Sequence, residues 1–408
     1  MISVASAREI VFSQVLKSKI DSVDFDKSMG FVLAEDIVAD RAMPPFNRVT
    51  MDGIAINYND FEIGIKEWRV TKIQYAGEEA SGIEEVGTCV EVMTGAVLPL
   101  RCDTVIRYED LNEFINDKNE KCFAFIEKKI LRGQNIHKLG SDKSKGDIVL
   151  KKGQKLAACD IALLASVGKM SVLVHQKINV AVIATGDELT KVEEFPNEYQ
   201  IRASNQHLIA AALHEININC VKFLRRDDLS DLKELLEKCL KQYDVVVITG
   251  AVSKGKADFI PATLKSLKVA ELFHGVEQRP AKPFWFGRKE QCLVFAMPGN
   301  PVSAALCTYV YLIPYLTELQ GFQNVKHMTK VCSEVVFKPS LNYFMQAKVC
   351  QDEQGNLYAN AFQGNGSGDL TNLAEINAFV ELPANEEYFD KNKLYRVYFT
   401  RNIIYPQP

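Results

Sequence analysis

From Ser3 to Ile20 the apolar residues Val4, Ile10, Val11, Val15, Leu16 and Ile20 recur near the spacing of one helical face. With Ser3 or Ser6 available as an N-cap, the pattern predicts an amphipathic helix. From Pro44 to about Leu139 the period falls to two. Alternating runs at Trp68 to Ile73, Cys89 to Met93, Thr104 to Tyr108 and Cys122 to Ile126, divided by Gly, Asn and Asp turns, predict a β-rich insert. Gly146 to Lys155 leads out of it, and Cys159 to Val167 predicts a short helix with Gly168 as its C-cap.

Beyond Ile178, strands at 179–184, 219–224 and 245–249 alternate with helices at 205–215 and 230–242, followed by helix, strand and helix. That order predicts a parallel sheet with crossover helices. After Lys326 the period returns to two at 331–337, 344–349, 357–362, 378–382 and 394–399, which predicts a small β-barrel or sandwich. The expected fold class is multidomain α/β plus β. It comprises a discontinuous helical and extended connecting domain (1–43 and 140–177), a β-rich insert (44–139), an α/β domain (178–325) and a C-terminal small β-barrel (326–408).

Composition narrows the function. A chain of 408 residues, 47% hydrophobic and 25% charged, is long enough for several cores and too apolar for extensive disorder. A net charge of -4 gives no electrostatic case for nucleic acid or an anionic membrane. The ten cysteines show no C-x-x-C pair, so a structural zinc is not expected. Arg8 and Glu9 interrupt what would be the core of a signal peptide, and no run approaches the roughly 20 apolar residues of a spanning helix. These features point to the cytoplasm.

Candidate chemistry gathers at strand ends, where ligands of parallel sheets lie. One strand runs into Thr185-Gly186-Asp187-Glu188-Leu189, whose paired carboxylates suit a hard cation completed by phosphate oxygens, or are simply a solvated acidic turn. Another runs into GAVSKGKAD at 250–258. This satisfies G-x-x-x-x-G-K, but Ala257 stands where a nucleotide-binding P-loop needs a hydroxyl, so anion binding by backbone N–H groups survives better than triphosphate hydrolysis. The third enters Met297-Pro298-Gly299-Asn300-Pro301-Val302-Ser303, a capped helix start that can also hold an anion. Upstream, Arg279-Pro280-Ala281-Lys282-Pro283 places two cations in a Pro-stiffened turn. Pro44 to Gly53 (PPFNRVTMDG) and Met93 to Pro99 (MTGAVLP) mean little singly, and the six histidines show no ligand or triad spacing.

Taken in order, the PPF…MDG, MTG…P, TGDEL, Ser204-Asn205 and PGNPVS segments resemble the molybdopterin molybdenumtransferase family, which includes the carboxy-terminal domain of gephyrin, from about Arg8 to Pro383. The resemblance implies a molybdopterin-binding-type α/β domain. It also implies an enzyme that makes molybdenum cofactor from adenylylated molybdopterin and molybdate, releasing AMP with the help of Mg²⁺, with molybdopterin adenylyltransferase as upstream partner. Family members are homodimers whose cleft is shared between the insert of one subunit and the α/β domain of the other. By that resemblance Asp52, Thr94, Glu188 and Asp258 are catalytic, and Asp187, Glu188, Asp142 and Asp228 hold the metal. Ser253, Lys256, Lys282, Pro298, Asn300, Pro301, Ser303 and Ser367 bind substrate or anion.

Several positions depart from the family pattern. GAVSKGKAD stands for the usual GGVSVGDYD, which introduces Lys254 and Lys256. His137 takes the place of an Arg, Ser141 that of a Glu, Ala281 that of a Gly, and Gln346 that of a basic residue. Counting each acid lost and lysine gained as one, the site moves by about four positive charges, which favours anions over Mg²⁺. A catalytically weak relative that binds molybdopterin, molybdate or a scaffold partner is the alternative reading, and a nucleotide hydrolase a third.

Overall fold

The computed structural model describes residues 1–16, 19–126, 129–251, 259–321 and 324–401. The chain forms two compact units, one of residues 22–29 and 33–174, the other of residues 1–21, 30–32 and 175–408.

The first unit holds a six-stranded sheet in the order Thr104–Arg107, Gly53–Ile56, Thr88–Val92, Glu67–Gln74, Lys121–Phe125, Leu111–Ile115. The four runs expected from period two are all present. Gly53–Ile56 escaped that pattern because all four of its residues are buried, so it has no polar face to alternate with. Val49, Ala55, Val90, Val92 and Val105 fill one core, and Ile54, Ile56, Trp68, Cys89, Ile106 and Phe123 fill another. The helix Ala158–Ser166 is secured at its start by Asp160, whose Oδ2 accepts from the Ala157 N–H at 2.8 Å, and it ends at Gly168 with φ 68°.

In the second unit a six-stranded sheet runs Cys220–Arg225, Val180–Thr185, Val245–Thr249, Cys292–Met297, Trp285–Lys289, Ala270–His274. The first four strands are parallel and in register, so Thr185, Arg225, Thr249 and Met297 finish at one edge. The last two strands are antiparallel, which corrects the expectation of a wholly parallel sheet. Only Glu290 and Gln291 separate Trp285–Lys289 from Cys292–Met297, a hairpin link far too short for a crossover. Both faces are covered. Ile209, Leu213, Val302 and Leu306 pack with Val182, Val247 and Phe295 on one side, while Leu232, Leu236 and Leu264 pack with Ile183, Ile248 and Val294 on the other. Helix Leu229–Gln242 buries Leu232, Leu235, Leu236, Cys239 and Leu240, the spacing of a single helical stripe.

The helical run from Pro301 to Leu319 contains a π-helical segment at Thr308–Leu312 and is long and apolar enough to cross a membrane. Two-thirds of it (67%) is buried within the protein, as befits a core helix. The amino-terminal helix is shorter than its apolar spacing predicts, Val4–Phe12. Ser3 Oγ caps it by accepting from the Ser6 N–H at 3.1 Å. Ser13 Oγ and Gln14 Nε2 both bond back to the Ile10 carbonyl at its end, and Val15 is exposed.

Five strands, His327–Val331, Asn342–Gln351, Leu357–Ala361, Ala378–Leu382 and Tyr395–Phe399, close into a barrel because Asn342–Gln351 pairs with both Leu357–Ala361 and Ala378–Leu382. The first strand ends at Val331, where the period-two reading has it begin. Val335–Val336 instead pairs separately with Tyr388–Phe389.

A half-buried ion pair joins the amino-terminal helix to this barrel. The Arg8 guanidinium donates to both carboxylate oxygens of Glu381, at 3.0 and 2.8 Å, and lies over the Tyr398 ring at 5.2 Å. Glu381 also accepts from Asn342 Nδ2 and the Tyr398 hydroxyl, both at 3.1 Å. Arg8→Ala leaves that carboxylate without its cation and is expected to cost about 3 kcal/mol in urea unfolding. A loss well below about 1 kcal/mol would show that the pair behaves like a surface bridge.

Candidate functional site

Four loops meet at the strand edge, and the contacts that fix them are backbone contacts. Gly250 has φ 110°, and a β-carbon there would lie 2.2 Å from the Thr185 carbonyl oxygen. Its N–H points to the Met297 carbonyl at 3.3 Å. Asn205, at the start of its helix, donates through Nδ2 to Thr249 Oγ1 at 2.9 Å and to the Gly299 carbonyl at 2.7 Å, tying the third strand to the PGN turn. Asp187 and Glu188 are exposed on the neighbouring loop. Asp187 Oδ1 accepts from the Asp227 N–H at 3.2 Å, and Asp227 Oδ1 accepts from the buried Thr185 hydroxyl at 2.6 Å.

Of the Asp227–Asp228 pair, it is therefore Asp227 that serves the acidic loop. Asp228 is the N-cap of Leu229–Gln242, and its Oδ1 accepts from the Ser230 and Asp231 N–H groups at 2.9 Å each. Sequence reasoning passed over Asp227. The signal was available, because an Asp directly before a predicted helix start is a cap by spacing. Among the described residues no group of three or more His, Cys, Asp or Glu side chains could hold a metal ion.

Beside this edge lies a cleft of about 740 Å³, with Arg279, Lys282, Asn300, Ser303, Gln346 and Ser367 in its wall and no Asp or Glu among the described residues that line it. Neither Arg279 nor Lys282 has a carboxylate partner among the described residues, and the Arg279 guanidinium rests over the Phe337 ring at 5.8 Å. Two unneutralised cations in a concave wall attract anions. Asn300 is the N-cap residue of Pro301–Cys307, but its side chain does not cap; Nδ2 donates to Ser367 Oγ at 3.0 Å. The Ser367 carbonyl takes the N–H of Val302 at 3.1 Å instead. Thus GNGSGDL and PGNPVS, far apart in sequence, form one wall. Pro298 lines the cleft, Pro301 does not, and Ser303 is buried in the first turn. Gln346 Oε1 is buried without a partner.

The other unit carries Asp52, Thr94 and Asp142. Asp52 Oδ1 accepts from the Thr94 N–H at 2.6 Å and the Thr94 hydroxyl at 2.7 Å. The hydroxyl first, and the N–H second, hold this exposed carboxyl below the usual aspartate range. Gly53 follows directly because a β-carbon there would lie 1.9 Å from the Ile106 carbonyl oxygen. Asp142 Oδ1 is 2.7 Å from His137 Nε2 and 3.3 Å from Ser141 Oγ, so two of the departures from the family pattern converge on one acid. Arg48 lies 3.0 Å from His137 Nδ1. A guanidinium can only donate, which leaves the imidazole proton on Nε2, facing Asp142. Ser253, Lys256 and Asp258 lie outside the described residues.

Three family models cover most of the chain: "MoeA N-terminal region (domain I and II)" over residues 2–168, "Probable molybdopterin binding domain" over 181–318, and "MoeA C-terminal region (domain IV)" over 332–399. The chain is 32% identical to a molybdopterin molybdenumtransferase of Synechocystis over 404 residues, 98% of this chain and 100% of that one. It is 30% identical to the protein of that name from Bacillus subtilis over 390 residues, 93% of this chain and 89% of the relative. A molybdopterin biosynthesis MoeA protein from Pyrococcus horikoshii has a similar crystal structure, with a TM-score of 0.81 at 28% identity, covering 98% of this chain and 100% of that chain.

Two measurements check these contacts. In Thr94→Val the Asp52 carboxyl is expected to titrate at higher pH than in the wild type, read by NMR. Because the folded-state value is depressed, the contact stabilises fully above the ordinary aspartate range and is lost as pH falls through the depressed value. An unmoved midpoint would assign the effect to the backbone N–H alone. Asp228→Ala is expected to cost about 1 kcal/mol of stability through the lost cap; unchanged unfolding would show that the cap is redundant.

Proposed function

This chain belongs to the molybdopterin molybdenumtransferase family, and on that premise we propose that it inserts molybdate into adenylylated molybdopterin, releasing AMP and giving molybdenum cofactor. The observation that carries the proposal is the cleft in which Arg279 and Lys282 stand with no carboxylate among the described lining residues. Molybdate is a tetrahedral dianion, and this wall offers it two cations with donors from Asn300, Ser303 and Ser367 nearby. The sulfurs that receive the metal belong to the pterin, so no protein thiol is needed.

Release of AMP breaks a pyrophosphate P–O bond, a reaction served chiefly by positioning and charge neutralisation. Mg²⁺ would supply such neutralisation. Asp187 and Glu188 fit it as hard oxygen donors, with substrate phosphate oxygens completing the shell, since Mg²⁺ is commonly bound by one or two carboxylates plus phosphate. Asp228, committed to its helix cap, and Asp142, facing His137, are the less available of the four proposed metal-site acids. Asp52 is held ionised by Thr94, which makes it a weak base and a good fixed negative charge for orienting the attacked pyrophosphate. Asp258, Ser253 and Lys256, outside the described residues, complete the proposed set. The working form in this reading is a cytoplasmic homodimer whose cleft is shared between subunits and which is supplied by a molybdopterin adenylyltransferase.

The test is anaerobic turnover of purified protein with adenylylated molybdopterin, molybdate and graded Mg²⁺. AMP release coupled to cofactor formation is expected, falling at least about a hundredfold in Asp52→Ala and Glu188→Ala if these groups act on the transition state. Binding of both substrates without turnover at any Mg²⁺ level would place the chain instead among catalytically weak carriers or scaffolds.

A further inference from the structure

The turn that carries both cleft cations contains a costly residue. Ala281 has φ 65°, in the left-handed region that a β-carbon disfavours and glycine adopts freely. Ala281 is also buried, at 4% exposure, so solvent does not relax it. The Val276 N–H closes the turn by donating to the Lys282 carbonyl at 2.9 Å, and the side-chain contact on Ala281 itself comes from outside every site motif. Gln278 Nε2 donates to the Ala281 carbonyl at 2.9 Å, and Gln278 Oε1 accepts from the Tyr311 hydroxyl at 2.5 Å. Gln278 and Tyr311 are both wholly buried.

A primary amide suits this place because it donates and accepts at once without charge; Glu accepts only, and Leu does neither. Each end of the chain of contacts matters to the cleft. Ala281 sits between Arg279 and Lys282. Tyr311 belongs to the helical run that opens at Pro301, directly after the PGN turn of the opposite wall. Gln278 and Arg279 also pair with Asn342 and Tyr343 of the barrel, which fixes the other side of the turn.

We propose that Gln278 is a positioning residue that sets the oxyanion affinity of this cleft, by holding Ala281 left-handed so that Arg279 and Lys282 face the same space. This rests on reading the cleft as an oxyanion site. Gln278 borders the cleft but is wholly buried, and both ends of its amide are committed to Ala281 and Tyr311, so it acts through the backbone of the turn.

The experiment compares wild type, Gln278→Leu, Tyr311→Phe and the double variant Gln278→Leu/Ala281→Gly, all as full chains. The readouts are calorimetric binding of molybdate alone and steady-state KM and kcat. Gln278→Leu is expected to weaken molybdate binding and raise its KM about tenfold, with kcat at saturation within about twofold, as displacement of a binding group predicts. Tyr311→Phe should shift both in the same direction by a smaller factor. Ala281→Gly, which removes the need for an anchor, should restore most of the affinity in the double variant. A purely structural role would lower the melting temperature and leave affinity and rescue unaffected. Unchanged molybdate affinity in folded Gln278→Leu, or in Tyr311→Phe should the first variant not fold, overturns the proposal while leaving the oxyanion site standing. Absence of molybdate binding by the wild type overturns both.

Discussion

The α/β site depends on one close approach, the Thr185 carbonyl oxygen against the α-carbon of Gly250. A β-carbon at 250 would lie 2.2 Å from that oxygen, so a side chain there would force the first and third loops apart. Gly250 is also close to the PGN turn, since a β-carbon on Gly299 would stand 3.6 Å from its α-carbon. Its successor Ala251 lines the cationic cleft. One glycine thus separates an edge bearing Asp187 and Glu188 from a wall bearing Arg279 and Lys282. No ion pair joins these acids to these cations among the described residues, so an acidic edge and a cationic wall stand as separate surfaces.

Much of this arrangement was legible in the chain. Strands buried on both faces and followed by capped helices placed the TGDEL, GAVSKG and PGNPVS loops at one edge, because parallel strands in register must end together. What escaped was of two kinds. Where every residue of a segment is buried, as in Gly53–Ile56 or Cys292–Met297, hydrophobic period carries no information about direction or partner. Where two like residues are adjacent, composition cannot say which one turns inward. Asp227 takes the Thr185 hydroxyl, whereas Asp228 meets the N–H groups of a helix start. The joining of Ser367 to Asn300 across 67 residues has no local signature at all.

Two of the departures from the family pattern fall where the chain supplies a neighbour. His137 and Ser141 both reach Asp142, so a position that lost an Arg and a Glu keeps a hydrogen-bonded acid. Gln346 is different. Its Oε1 is buried without a partner, and the cleft has one cation fewer than the pattern implies, so Arg279 and Lys282 are the cations its described wall presents.

That concentration of function on a single turn makes its conformation matter more than in a site with three cations spread over separate elements. With charges on two elements, a small displacement of one leaves the other in place. With both on residues 279 and 282, any loosening at Ala281 moves both together, and the electrostatic gain, which falls with distance, is lost from both at once. A fully buried amide at 278 is a costly thing to place in a core unless all its groups are paired, and here both ends are. The same argument explains why the anchor is neutral. A charged side chain at 278 would either repel the oxyanion or compete for it, whereas an amide adds order to the turn without altering the potential of the cleft.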